Sequence, residues 1–344
     1  MKYLLSILLS AMLIAGCGKD NKGEKSNVDS TAAGEIVTVK DDNPPASVEL
    51  KYAMESNGKY RYKLTSETTT EQTVKADSTM TIALKEFITY IIDCDVREID
   101  QDSVMEVRLV FSSVKIDAES GPQKFSYESG KPVDSTKLAE VIQYESFINN
   151  PFSARISPTG EIVELYRTDK IINKFLELQK AQNKVTPEQK AQIQMNLNEG
   201  MLKPIIQQIF RKLPEQTLTA QSKWQDSKPT KLGAFDVTQK VDYNVTGFEK
   251  MGDQRLIAMA SALTIDAQAK APFTERGVKY TLGKPKAEGS GKVYFNITKG
   301  CLQKSESLSH VEMNIQMEAP KGTPGPSKAT RKESVVSKNI VQLL

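Results

Sequence analysis

Val311-Glu312-Met313-Asn314-Ile315-Gln316-Met317-Glu318 alternates apolar and polar residues without exception. Successive side chains of an extended strand point to opposite faces, so this stretch predicts a strand with one dry face and one wet face. The same period recurs along the chain. Tyr60, Tyr62 and Leu64 alternate with Arg61, Lys63 and Thr65, and Met105, Val107, Leu109 and Phe111 alternate with Glu106, Arg108 and Ser112, Val110 being the exception. Phe235, Val237, Val241, Tyr243 and Val245 share parity across a break at Gln239, and Val293, Phe295 and Ile297 repeat the pattern. Thr65–Thr73 is rich in a residue that suits strands better than helices. Phe87–Val96 is more continuously apolar and predicts a central strand. Asp100-Gln101-Asp102 and Lys250-Met251-Gly252-Asp253 lie between strand patterns and read as hairpin turns. One-faced strands joined by hairpins predict an antiparallel sheet.

Helical spacing interrupts this pattern once, over 134–213. Asp134 or Ser135 is placed to cap a helix with Leu138, Val141 and Ile142 on one face. Ile171, Ile172, Phe175, Leu176 and Leu178 continue the helical spacing. Thr186-Pro187-Glu188-Gln189 combines a Thr cap, Pro at the first helical position and Gln three residues after the cap. Pro204 predicts a break or kink. Between these segments, Phe152–Ile156, a Pro158-Thr159-Gly160 turn and Ile162–Leu165 read as strand, turn, strand. The fold class is therefore α+β: a curved antiparallel sheet packed against a helical layer. The β regions are 49–130 and 214–318. Residues 319–332 read as loop, Val335–Leu344 as an edge strand, and the glycine-rich Gly283–Gly291 as a flexible loop. The two halves of the chain share a short likeness, Ile156–Ile162 around Pro158-Thr159-Gly160 beside Ile297–Leu302 around Lys299-Gly300-Cys301, compatible with a duplication.

Composition narrows the chemistry. The 344 residues carry 46 Lys+Arg against 43 Asp+Glu, a net charge of +3. That balance offers no basic field for a nucleic-acid backbone, so no nucleic-acid partner is expected. One His and three Cys leave no His-rich or Cys₄ metal site. No metal or cofactor is expected. His310 is the one imidazole, with Ser307 and Ser309 nearby in sequence but no nucleophile motif around them. Asp93-Cys94-Asp95 and Asp100-Gln101-Asp102 lack the spacing of a calcium loop. No catalytic residue emerges. For Cys94 and Cys301 two readings stay open: a disulfide tying the two β regions, or two separate buried thiols.

Residues 1–17, MKYLLSILLSAMLIAGC, carry a positive start at Lys2, an apolar run from Leu4 to Ile14, and Ala15-Gly16 before Cys17. The run is too short to span a bilayer, which needs about 20 apolar residues. Ile14-Ala15-Gly16-Cys17 resembles the bacterial lipobox. The resemblance implies cleavage after residue 16 and lipidation of Cys17. Gly18 stands where an inner-membrane retention signal would place Asp, so the outer membrane is the expected site. Residues 18–48 hold too little apolar surface to fold and read as a tether.

Gly58–Lys63 opening a Thr-rich strand, Pro158-Thr159-Gly160-Glu161-Ile162, and Leu213-Pro214-Glu215 followed by Trp224 together resemble an uncharacterised family of secreted and lipid-anchored bacterial proteins with a domain of unknown function. The layout is also similar, at fold level, to carriers and receptors that move lipoproteins across the periplasm. That likeness implies a curved sheet cupping helices around an apolar cavity. The expected function is a noncatalytic binding or carrier module for an apolar ligand or an envelope partner. The alternative is a structural or assembly lipoprotein acting through surface contacts; a hydrolase built on His310 is the third reading.

Overall fold

The computed structural model describes residues 36–344, other than 135, 276 and 321–326. The leader, Cys17 and the tether as far as residue 35 lie outside the described residues. Among the described residues fifteen strands form one sheet. They are β1 (Val39–Lys40), β2 (Lys59–Lys75), β3 (Thr79–Ile99), β4 (Met105–Ser120), β5 (Gln123–Glu128), β6 (Phe152–Ile156), β7 (Ile162–Tyr166), β8 (Lys223–Leu232), β9 (Phe235–Met251), β10 (Gln254–Ala267), β11 (Phe273–Glu275), β12 (Val278–Leu282), β13 (Lys286–Asn296), β14 (Cys301–Glu318) and β15 (Lys328–Leu343). Between β5 and β6 comes helix α1 (Leu138–Phe147); between β7 and β8 come α2 (Asp169–Leu178), α3 (Pro187–Leu197) and α4 (Lys203–Ile209). A π-helical turn, Asn198–Leu202, joins α3 to α4 just before Pro204, so the two make one continuous rod.

The strand order is β1-β9-β10-β13-β14-β15-β2-β3-β4-β6-β7, with β8 beside β9 and β5 beside β4. The sheet is open rather than closed into a barrel, and its pairings are antiparallel. It curls strongly. The β8–β9 turn at Gly233 stands against the Met313 sulfur, with 3.6 Å between that sulfur and the place a Cβ would occupy. In a flat sheet β9 and β14 would be three spacings apart, about 14 Å.

Two sequence expectations change here. Val335–Leu344 is not an edge. β15 pairs with β14 along Lys304–Glu318 and with β2 along Tyr62–Lys75, joining the two β regions. Alternation shows which face a strand presents but not which neighbour it takes. Gly283–Gly291 is not a loop either, since Lys286–Asn296 is strand β13, paired on both sides. Only Gly283-Lys284-Pro285 interrupts the run between β12 and β13.

The other local readings are borne out or adjusted. Both hairpins form, and β3 lies in the interior of the sheet. Thr186 and Gln189 form a reciprocal capping box at the start of α3. Asp134 does not cap α1; its carboxylate accepts from the backbone N–H and hydroxyl of Thr136, closing a turn before the helix. The end of the tether is docked, because β1 pairs with β9 and the Asp41 carboxylate meets Lys250 at 3.2 Å and Arg255 at 3.0 Å. Burial pushes the Asp41 pKa up, but the Asn43 N–H, Lys250 and Arg255 outweigh it and hold the group below its ordinary value.

One large core lies on a single side of the sheet. Tyr62, Leu64, Ile92, Met105, Leu109, Phe111, Phe295 and Val341 meet Val141, Phe147, Ile171, Ile205 and Ile209 from the helices. The helices approach β4 and β7 most closely. Phe111 stacks on Phe147 and Phe152, with ring centroids 5.4 and 6.1 Å away. The extended segment 48–54 completes this core. The Tyr52 hydroxyl donates to the Ile209 carbonyl and accepts from the Arg211 N–H. The two glycine turns that looked alike in sequence grip this same segment: the Tyr52 N–H donates to the Pro158 carbonyl and the Ala53 N–H to the Gly300 carbonyl. A Cβ on Gly160 would stand 2.3 Å from the Arg211 carbonyl oxygen, and one on Gly300 2.6 Å from the Ala53 nitrogen. Those motifs hold the frame together.

Candidate functional site

On its core-facing side the sheet continues past the helices, and the residue types change there. Following the pairing registers, one row across the strands reads Ile88, Ser66, Asn339, Ser307, Gly291, Ser261, Tyr243, Trp224. The next row reads Glu86, Thr68, Ser337, Ser309, Gly289, Leu263, Val241. Ser, Thr, Asn and Gly therefore fill the middle of both rows across β2, β15, β14 and β13, and Ser261 extends the first row into β10. Beyond them apolar residues resume. Ala287, Val311 and Val335 form a second small cluster with Leu232, Ile265 and Met313. The result is a trough with a floor of short side chains between two apolar walls, and it is covered: Ser261, Ser309, Ser337 and Gly291 are buried.

The polar atoms of the floor are unevenly satisfied. Thr68 and Ser337 hydroxyls bond each other at 3.2 Å. Ser261 is 1% exposed, and its hydroxyl has no hydrogen-bond partner among the described residues. A buried hydroxyl left unpaired costs roughly 1–3 kcal/mol. Glycine inside a strand weakens it and marks places where a ligand or another backbone comes close; β13 places two of them, Gly289 and Gly291, in this floor.

The ends of the trough differ. At one end Trp224 lies flat on Tyr243, with ring centroids 5.0 Å apart and 8° between planes. Together with Tyr52, Met259, Val293, Phe295, Leu302 and the 211–214 segment they line a notch of about 20 Å³. That is room for about one water, so nothing larger fits there. The apolar cavity implied by the carrier likeness is absent at this position. Arg211 sits at the mouth of the notch, beside Tyr243. Burial raises the Tyr243 hydroxyl pKa, against the lowering pull of the Arg211 charge. At the other end Glu86 is half-buried, and burial raises its pKa; Tyr90 and Tyr144 flank it, their ring centroids 6.5 Å apart.

The residues singled out from sequence fall elsewhere. Cys94 and Cys301 are both buried free thiols, so the disulfide reading is corrected in favour of two separate thiols. Burial pushes the Cys94 pKa up strongly and that of Cys301 to about 11, leaving both poorly nucleophilic. His310 lies on the opposite face of the sheet from Ser307 and Ser309. Its Nε2 is 3.0 Å from the Ser334 hydroxyl and its Nδ1 3.9 Å from Glu288. The outline of a relay is present, but Glu288 is 80% exposed and beyond hydrogen-bond reach. The backbone around His310 is committed to sheet pairing on both sides, which provides no donors for an oxyanion. Asp93 pairs with Arg61, and Asp95 with Arg97 and Arg108. Among the described residues, no group of three or more acidic, His or Cys side chains could hold a metal, and no helix is long and apolar enough to cross a membrane.

The trough itself was not read from the sequence. Its signal was Gly289-Ser290-Gly291 inside a strand, and glycine-rich sequence reads as loop until the neighbouring strands are known.

The chain belongs to a family of unknown function, DUF6263, whose pattern matches residues 102–302. That span includes the Pro158-Thr159-Gly160 turn, Leu213-Pro214-Glu215 and Trp224, but not Gly58–Lys63. No curated protein matches the sequence. Among solved structures, one describing lipid–protein interactions in lipovitellin is 11% identical with a TM-score of 0.44; the match covers 85% of this chain but only 25% of that one. An outer membrane channel from Pseudomonas putida F1 is 8% identical over 88% of this chain and 100% of that one, with a TM-score of 0.18. OccK2 from Pseudomonas aeruginosa is 6% identical over 83% of this chain and 100% of that one, with a TM-score of 0.21. Overlaps of that size do not bear on what this chain does.

Proposed function

We propose that this member of the DUF6263 family is a noncatalytic binding module, anchored through Cys17 to the outer membrane, whose trough receives an apolar chain. The observation that carries the reading is the floor of Ser, Thr and Gly between two apolar walls, with the buried Ser261 hydroxyl left without a partner among the described residues. Short side chains mark where another chain can approach a sheet closely, and apolar walls favour a ligand that exchanges water for hydrocarbon contact. Because Ser261, Ser309 and Ser337 are buried, the ligand takes the place of what covers them.

Native mass spectrometry with lipid extraction, on the full chain purified from its own envelope, tests the reading. A stoichiometric lipid that is lost in Gly291→Leu supports it. Leucine there fills the trough while β13 keeps its pairing. A clean unliganded mass favours the alternative, a lipoprotein acting through contacts with an envelope protein, and in-cell crosslinking would then identify that partner.

A further inference from the structure

We infer that the end of the sheet away from the tether is a docking surface for a bilayer rich in anionic lipid. This surface lies beyond the trough and does not depend on what the trough holds.

The pairing registers define the two ends. β1 joins the sheet beside Glu249, and that row runs through Leu256 and Asn296 to Cys301, the first residue of β14. The last residues of β14 therefore lie at the other end. There the core-facing side carries a row of Leu282, Ile315, Arg331, Val74 and Met80. In the row beyond it Tyr280 pairs with Met317, and Phe273 stacks on Tyr280 with ring centroids 5.2 Å apart. Arg331 is the polar exception, and it is paired with Glu333. Met80 is 55% exposed and Phe273 39%; the other apolar members are half-buried. Apolar side chains left in water together mark an interaction surface. Charge names the partner. The segments 277–286 and 327–332, which supply β12 and the start of β15, hold six Lys+Arg and no Asp or Glu, whereas the whole chain holds 46 against 43. Lys75 follows Val74, Lys279 precedes Tyr280 and Lys332 follows Arg331, so each adjoins an apolar row. All three are exposed and form no ion pair among the described residues. Apolar side chains rimmed by lysines match the interface of an anionic bilayer: ammonium groups meet the headgroups, while Phe and Met enter the boundary with the acyl chains. A polyanionic polysaccharide would engage the lysines but leave Phe273 and Met80 in water, so lipid is the better match. Entry of the chain at the opposite end leaves this surface free for a bilayer other than the one that would hold Cys17.

Flotation tests this. The full chain, held in phosphatidylcholine nanodiscs, is mixed with vesicles that are then floated through a sucrose gradient. Vesicles of phosphatidylcholine and phosphatidylglycerol in equal parts should carry at least ~tenfold more protein than pure phosphatidylcholine, since each lysine at an anionic surface strengthens binding about fivefold. The excess should vanish at ~1 M salt, where the Debye length falls to about 3 Å. Lys75→Glu with Lys279→Glu and Lys332→Glu should abolish it. The same charge change at the tether end, Lys59→Glu with Lys223→Glu and Lys299→Glu, should keep it. Phe273→Ser with Met80→Ser should weaken flotation severalfold on the anionic vesicles, with a melting temperature matching the parent because both positions are exposed. Equal flotation on the two kinds of vesicle, an excess that survives the first triple variant, or one lost equally in the second would each overturn the inference. Retention on dextran sulfate together with undiminished flotation of the Phe273→Ser, Met80→Ser variant would also overturn it, and would assign this end to a polyanionic polysaccharide.

Discussion

The two ends of the same strands follow one alternation and reach different outcomes. Near the helices, Met105, Val107, Leu109 and Phe111 on β4 are completely buried, as are Ile92 and Tyr62. Further along, β14 carries the most regular alternation in the chain, yet Met313, Ile315 and Met317 remain only half-buried. Periodicity tells which face a residue occupies; burial depends on what covers that face. A helical layer covers the first end. The second is covered by the curl of the sheet and by the β8–β9 turn.

This comparison can be broken by matched substitutions. The largest effect is expected for Phe111→Ala, which removes a ring stacked on two others at the helix-covered end; it should cost ~3–5 kcal/mol in chemical denaturation. Met105→Ala, at the same end, should cost ~2–5 kcal/mol. The same change at the other end, Met317→Ala, should stay within about 1 kcal/mol. Equal losses for the two methionines would mean that the far end is packed as tightly as the core, which leaves no trough.

The smallest effect should sharpen the boundary between the two ends. Glu86 has a folded pKa raised above its ordinary 4.5 by burial. Its ionisation therefore opposes folding: the penalty is absent below pH 4.5 and grows as pH rises through the folded value. Glu86→Gln should melt slightly higher than the parent at pH 7, with the difference closing below pH 4.5. A lower melting temperature at pH 7 would show that the carboxylate has a stabilising partner and that the trough does not end there.

Particular residues show how much could be read in advance. Hairpins at Asp100–Asp102 and Lys250–Asp253, the capping box at Thr186 and the parity of nearly every strand were legible, because each depends on residues close in sequence. The site was less so. Trp224 stood out as the only tryptophan, but its stacking on Tyr243 needs β8 beside β9. Arg211 gave no signal, since a basic residue after a helix is ordinary until its neighbours are known. Gly289 and Gly291 gave the wrong one.

Local order thus belongs to the sequence: the period of two, the turn chemistry and the caps act over a few residues and need no partner. Tertiary structure decided the rest. It placed β15 between β14 and β2, aligned Gly291, Ser261 and Tyr243 in one row, and left Cys94 and Cys301 apart. Each of these depends on pairing between strands far apart along the chain. Alternation sets the parity of such a pairing, while the choice of neighbour comes from the competition of all strands for the same core.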